Sequence, residues 1–181
     1  MKKIKISRKS FLWGTLGTGT FLYFLSPFLG KNVKTLYFSK FQLNVLVLFL
    51  SSLLSNNFSK DEAYLNKLLQ RMDEELFFVN EGIQGEFDAA ILLVEFCPWI
   101  FGYWSSFSKL SLEDARSCIQ DGINSQNHSI RSAFSSIRML SYMIHYGQKE
   151  SWNAIHYDGP FAGFSEKFSE SRAYYKKQVG I

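Results

Sequence analysis

The spacing of apolar residues constrains the fold of this chain most, because it follows the period of an α-helix. Between residues 59 and 78, apolar side chains recur three and four positions apart, with charged residues between them. No segment of useful length alternates with a period of two, as a half-buried strand would. The sequence therefore predicts an all-α domain of about five to seven helices. The residues that define the period are Leu65, Leu68, Leu69, Met72 and Leu76.

Capping and helix-breaking residues place the predicted helix ends. Ser59 and Ser111 are each followed three residues later by an acid, which is typical of a capping box. Pro98 should end or kink the helix that contains it. The predicted helices cover residues 41–55, 59–78, 87–96, 111–125, 129–147 and 150–155, and a glycine-rich C-terminal loop follows them.

Two further faces are predicted to belong to the core. A helical period over residues 129–147 places one apolar face inward, and Asn127 is expected to precede that helix. Glu95 lies between Val94 and Phe96 and is the one acid expected to be buried. The core residues predicted on these two helices are Leu92, Leu93, Phe96, Ile100, Ile130, Phe134, Ile137, Leu140, Met143 and Ile144.

The first thirty residues have the organisation of an export signal. A basic start without acids precedes twenty uncharged residues, Phe11 to Gly30, which are long enough to cross a bilayer as a helix. Glycine and threonine interrupt this run, so it suits a signal better than a permanent anchor. No Ala-x-Ala-like site follows, so an uncleaved anchor remains an alternative. We expect the protein at the periplasmic side of the inner membrane.

Within this start, the segment from residue 7 to residue 12 resembles the twin-arginine translocation motif, Ser/Thr-Arg-Arg-x-Phe-Leu. Lysine stands in place of the second arginine, and it offers a point charge instead of a planar fork of donors. The resemblance implies recognition by the twin-arginine translocase, with general secretion as the alternative route. The residues that carry it are Ser7, Arg8, Lys9, Phe11 and Leu12.

Charge is divided unevenly along the chain. Residues 1–40 contain eight bases and no acid, and the whole chain has 20 bases and 16 acids, so residues 41–181 have twelve bases and sixteen acids. An acidic body argues against nucleic acid as a partner, because such binding needs a basic face on the folded part. We interpret residues 1–30 as the signal or anchor, 31–40 as a polar joint and 41–181 as a single domain.

Groups that could perform chemistry are few. The two cysteines, Cys97 and Cys118, form no Cys-x-x-Cys or haem-attachment motif and are expected to be buried free thiols. The three histidines form no His-x-x-x-His pair, and Glu-x-x-His is absent. No phosphate-binding loop or nucleophile elbow occurs after the signal. We therefore predict no catalytic residue, no metal and no cofactor in this chain.

The most distinctive motif of the body lies near its C-terminus, at residues 152–160. A tryptophan and an isoleucine three residues apart can share a helical face, and Asp-Gly-Pro then forces a turn. This segment is either a partner-binding surface or a packed helix end followed by a tight turn. Its candidate binding residues are Trp152, Ile155, Tyr157, Asp158, Gly159 and Pro160.

Together with residues 107–111 and 135–142, this motif resembles a known family over about residues 59–164. The chain is similar to the small, gamma-type, signal-bearing subunits found beside flavin-dependent dehydrogenases of the glucose-methanol-choline type, and to the gluconate 2-dehydrogenase subunit 3 group. It departs from them at His156, where we expect glycine. The resemblance implies an all-helical, cofactor-free partner of a large flavoprotein that holds FAD and lacks its own signal. Such complexes often pass electrons to a cytochrome c subunit.

These observations lead to one main hypothesis and one alternative. In the first, the chain is a non-catalytic small subunit, or an escort, that binds a flavin-dependent dehydrogenase and supplies its export signal. The layout is physically reasonable, because a flavoprotein folded around its cofactor must cross the membrane already folded. In the alternative, the chain is a stand-alone, membrane-anchored periplasmic module with a structural or ligand-binding role.

Overall fold

The computed structural model describes residues 33–54, 56–160 and 169–180, and within them all regular secondary structure is helical. The all-α prediction is confirmed for these residues. The predicted signal, with Ser7, Arg8, Lys9, Phe11 and Leu12, lies outside them. The α-helices are α1 (Lys40–Leu53), α2 (Asn56–Ser59), α3 (Glu62–Phe77), α4 (Glu81–Phe101), α5 (Leu112–Ile123), α6 (His128–Tyr146), α7 (Lys149–Trp152) and α8 (Glu170–Val179). Short 3₁₀ turns occupy Phe107–Lys109 and Asn153–Ile155.

One continuous core holds α1, α3, α4, α5 and α6 together. Its centre is aromatic: the Phe49 ring lies 5.8 Å from that of Phe107 and 6.2 Å from that of Phe134. Phe134 also meets Phe101, at the end of α4, at 6.4 Å between ring centroids. These rings join α1, α4 and α6 at one point. The periodic residues of α3 are all buried, as predicted: Leu65, Leu68, Leu69, Met72 and Leu76.

Two helix starts were predicted correctly from their capping residues, whereas α4 begins at Glu81, six residues before the predicted start at 87. Ser111 Oγ accepts the backbone N–H of Asp114 at 3.1 Å, and Asn127 caps α6 through the N–H of Ser129 at 2.9 Å. The predicted cap of α3 at Ser59 is wrong. Ser59 ends the short helix α2, and α3 begins after Asp61, whose Oδ1 accepts the N–H of Tyr64 at 3.0 Å. Aspartate caps a helix as well as serine does, so both positions satisfied the pattern.

Pro98 does not end its helix. Proline lacks the N–H that would bond four residues back, yet α4 continues through it to Phe101. The helix ends at Gly102, where φ is +89° and the N–H of Tyr103 donates to the carbonyl of Pro98 at 2.9 Å. The helix therefore extends three residues beyond the expected break.

The structure also corrects the predicted C-terminal loop, because residues Glu170–Val179 form α8. This helix is strongly polar and buries only Tyr175 and Val179. Two buried residues are too few to produce an apolar period in the sequence. Contacts with α3 position the helix, including a hydrogen bond from Tyr175 Oη to Asp73 Oδ2 at 2.5 Å.

Candidate partner-binding surfaces

The outer face of α4 exposes several large apolar side chains. Leu92, Phe96 and Ile100, which were predicted to be core residues, are 48%, 40% and 71% exposed, so that prediction is wrong. The opposite face of the same helix is buried, through Ile91 and Val94. Both faces of α4 are apolar, so its sequence period could not show which face meets the core.

Two tryptophans extend this exposed face at the end of the helix. Trp99 is 54% exposed and Trp104 is 84% exposed, and their rings meet edge to face at 6.5 Å between centroids. Trp104 has a φ of +51°, a left-handed conformation that is uncommon for a bulky residue. Neither tryptophan was predicted as a candidate binding residue, although Trp99 lies in line with Phe96 at helical spacing. We call this surface the α4 stripe: Leu92, Phe96, Trp99, Ile100 and Trp104.

Buried polar contacts hold the segment that carries the end of the stripe. Glu95 is 4% exposed, and its carboxylate accepts the N–H of Ser108 at 2.8 Å and the Ser108 hydroxyl at 2.7 Å. The predicted burial of Glu95 is therefore confirmed, but Asp73 and Glu74 are also buried, so the expectation that it would be the one buried acid is wrong. Tyr103 Oη donates to Asp121 at 3.0 Å. Burial, then this hydrogen bond, raises the pKa of Tyr103 to about 12. These contacts hold the chain on both sides of Trp104, at Tyr103 and at Ser108.

The predicted C-terminal motif forms a compact turn. Trp152 is partly buried, its Nε1 donates to the carbonyl of Tyr146 at 3.0 Å, and its ring meets Tyr157 edge to face at 5.1 Å. Gly159 has a φ of +106°, and a Cβ there would lie 2.9 Å from Cζ3 of Trp152. The structure thus brings together Trp152, Tyr157 and Gly159. Ile155 and Tyr157 are 46% and 44% exposed.

The remaining two residues of that motif have different surroundings. Asp158 is exposed and Pro160 is partly buried. The turn is packed internally by the Trp152 ring, and its outward-facing apolar surface consists of Ile155 and Tyr157. This apolar surface is smaller than the α4 stripe.

Both cysteines and one of the three histidines are buried. Cys97 and Cys118 are buried free thiols, as predicted, and burial raises their pKa values to about 11 and about 12. Neither is a thiolate near neutral pH. His145 is buried, its Nδ1 lies 2.9 Å from Tyr64 Oη, and burial lowers its pKa below the usual value of 6.5.

In residues 33–54, 56–160 and 169–180, no group of three or more His, Cys, Asp or Glu side chains is placed to hold a metal ion. Among the helices of these ranges, none combines the length and the apolar character needed to cross a membrane. Comparisons with protein-family models, curated proteins and solved structures find no match to this chain.

Proposed function

We propose that this chain is a non-catalytic small subunit, or an escort, that binds a flavin-dependent dehydrogenase and supplies its twin-arginine-type export signal. The α4 stripe, on a helix that is packed on its other face, supports the part of the proposal that concerns a protein partner. The flavoprotein and the export signal rest on the sequence resemblances described above. In this arrangement FAD belongs to the partner, and the N-terminal segment engages the translocase and the membrane.

The composition and support of the stripe favour a protein partner. Soluble monomers rarely expose large contiguous apolar surfaces, and tryptophan is enriched among the residues that dominate binding energy. Leu92 and Ile100 are eight residues apart on one helix, so the helical part of the stripe is about 12 Å long. Trp104 adds a protruding ring beyond the helix end. Because α4 is already packed on its other face, binding would order little additional backbone.

The most direct test is affinity purification of the full chain from its native membrane and periplasmic fractions. Mass spectrometry identifies what co-elutes, and an absorbance scan detects flavin. A near-stoichiometric flavoprotein without its own export signal supports the proposal. A colourless monomer recovered under mild extraction contradicts it and favours the stand-alone membrane-anchored module.

A pair of variants tests whether the α4 stripe is the binding surface. Ile100→Ser combined with Trp104→Asn removes two exposed apolar groups, and asparagine tolerates the left-handed backbone at position 104. If the stripe anchors the flavoprotein, this double variant should weaken its capture by about 30-fold or more, equivalent to about 2 kcal/mol. The control is Met143→Ser on α6. Met143 was predicted to be a core residue, but that prediction is wrong, because its side chain is 65% exposed.

The two surfaces can be distinguished by a third variant. Tyr157→Ser removes an exposed ring from the C-terminal turn and leaves the α4 stripe intact. Loss of the flavoprotein from this variant alone would assign binding to the C-terminal motif. Thermal melting of each variant shows whether a loss of capture reflects a loss of folding.

A further inference from the structure

Asp73, on α3, is a fully buried carboxylate with four hydrogen-bond donors from two distant parts of the chain. It is 0% exposed. Its Oδ1 accepts the backbone N–H of Phe38 at 2.6 Å and that of Tyr37 at 3.0 Å. Its Oδ2 accepts the N–H of Leu36 at 2.7 Å and the hydroxyl of Tyr175 at 2.5 Å. One side chain thus joins residues 36–38 to the C-terminal helix α8.

Residues 33–38, which we call the N-terminal strap, are held onto the body by these bonds. Phe38 is 5% exposed, and its ring lies 6.3 Å from that of Phe87 on α4. Away from Asp73, the one hydroxyl proton of Tyr37 is shared between Asp88 Oδ1, 2.5 Å from Tyr37 Oη, and the carbonyl oxygen of Gln84, at 2.9 Å. The strap comes directly before α1 in the sequence.

The C-terminal helix meets the same region through several contacts. Tyr175 is 1% exposed, and burial followed by its bond to Asp73 raises its pKa above the usual value. Arg172 Nε donates to Glu74 at 3.0 Å. A Cβ on Gly180 would lie 3.3 Å from Lys34 Nζ, so the end of α8 also lies beside the strap itself. A cation near the C-terminal end of a helix is favourable.

We propose that Asp73 couples the docking of the N-terminal strap to the docking of α8. A buried carboxylate needs all of its donors, because each bond offsets part of the free-energy cost of removing the charge from water. If α8 separates from α3, Asp73 loses the hydrogen bond from the Tyr175 hydroxyl and becomes accessible to water. Water then competes with the three strap amides for the carboxylate oxygens of Asp73. If the strap leaves, the bond to Tyr175 is weakened in the same way. Such coupling is reciprocal by thermodynamic necessity.

This coupling implies that the strap is held most firmly once α8 has docked. Residues 169–180 are synthesised after the core helices α1 to α6, so the strap reaches its stable position once the rest of the described body has formed. The inference does not depend on the flavoprotein or on the export route. It depends only on the contacts around Asp73.

Hydrogen exchange of the full chain, followed by mass spectrometry, tests the coupling. The variant Tyr175→Phe removes one hydroxyl and keeps the ring. The matched control is Tyr174→Phe, the neighbouring tyrosine of α8, which is 51% exposed and packs against Phe78 instead of Asp73. We expect the strap amides of residues 36–38 to exchange about tenfold faster or more in Tyr175→Phe, and to be unchanged in the control.

The reciprocal variant is Tyr37→Phe, which removes the strap's bonds to Asp88 and Gln84 without altering Asp73 or α8. We expect faster exchange in residues 170–179 of this variant. Unchanged strap exchange in Tyr175→Phe, or unchanged α8 exchange in Tyr37→Phe, would overturn the proposal. An equal acceleration in residues 91–94 of α4 would also overturn it, because the effect would then be global unfolding.

Discussion

Gly122 offers a sharp test of the packing beneath the α4 stripe. It lies in α5, and a Cβ at this position would be 2.4 Å from Cγ and Cδ2 of Phe134 and 2.6 Å from Cδ1. Ordinary carbon contacts are about 3.5–4.0 Å, so Gly122→Ala requires a movement of about 1 Å. Phe134 is fully buried between Phe49 and Phe101, and the ring has little room to move.

The magnitude follows from two opposing contributions. Alanine is favoured over glycine inside a helix by about 1 kcal/mol, whereas overpacking a well-filled core costs about 1–3 kcal/mol. Because Phe134 is held by rings on two other helices, we expect the upper part of that range. The net effect of Gly122→Ala should be a loss of about 1–2 kcal/mol in the free energy of unfolding.

Gly85→Ala is the matched control, because this glycine is also helical but a Cβ added there would have no atom within 4 Å. It should raise the free energy of unfolding by about 0.5–1 kcal/mol. Urea denaturation followed by circular dichroism measures the stability of both variants. We expect the urea midpoint to change and the dependence of the free energy of unfolding on urea concentration to stay the same. If Gly122→Ala is as stable as the original chain, or more stable, the reasoning about Phe134 is wrong.

Three further predictions concern polar contacts and the C-terminal turn. Glu95→Gln should lower the free energy of unfolding by about 1–2 kcal/mol, measured by urea denaturation, because the amide has one acceptor oxygen and cannot accept both the N–H and the hydroxyl of Ser108. The pKa of His145 is lowered in the folded state, so below about pH 6.5 the unfolded chain binds a proton that the folded chain does not. The free energy of unfolding should therefore fall as the pH is lowered from about 7.5 to about 5.5, and it should fall less in His145→Gln. Gly159→Ala should lower the melting temperature, since φ is +106° and the new methyl group would meet Trp152.

Each of these predictions has a result that would contradict it. Glu113, in the first turn of α5, is an exposed acid and provides the control Glu113→Gln. A urea midpoint of Glu95→Gln that is no lower than the midpoint of this control would contradict the first prediction. An identical loss of stability with acidification in His145→Gln and in the original chain would remove His145 as its cause. A Gly159→Ala variant that melts with the original chain would show that the turn can rearrange without cost.

Local patterns were sufficient to predict much of the helical layout. The spacing of Leu65 to Leu76 identified α3 and its buried face, because an isolated amphipathic helix has only one face that can enter a core. Ser111 and Asn127 marked helix starts, because their side chains satisfy amide groups only a few residues away. Glu95 was identified as buried from its two apolar neighbours alone.

Tertiary contacts decided the features that carry the proposals. The sequence by itself determined that α4 is apolar on more than one side; packing of Ile91 and Val94 against the core left Leu92, Phe96 and Ile100 outside. The polar helix α8 has no period that reveals it, and it is positioned by Tyr175 and Asp73, which are 102 residues apart. Helical periodicity is a local property that the sequence encodes directly, whereas the choice of buried face and the pairing of distant polar groups depend on which surfaces meet after the chain folds.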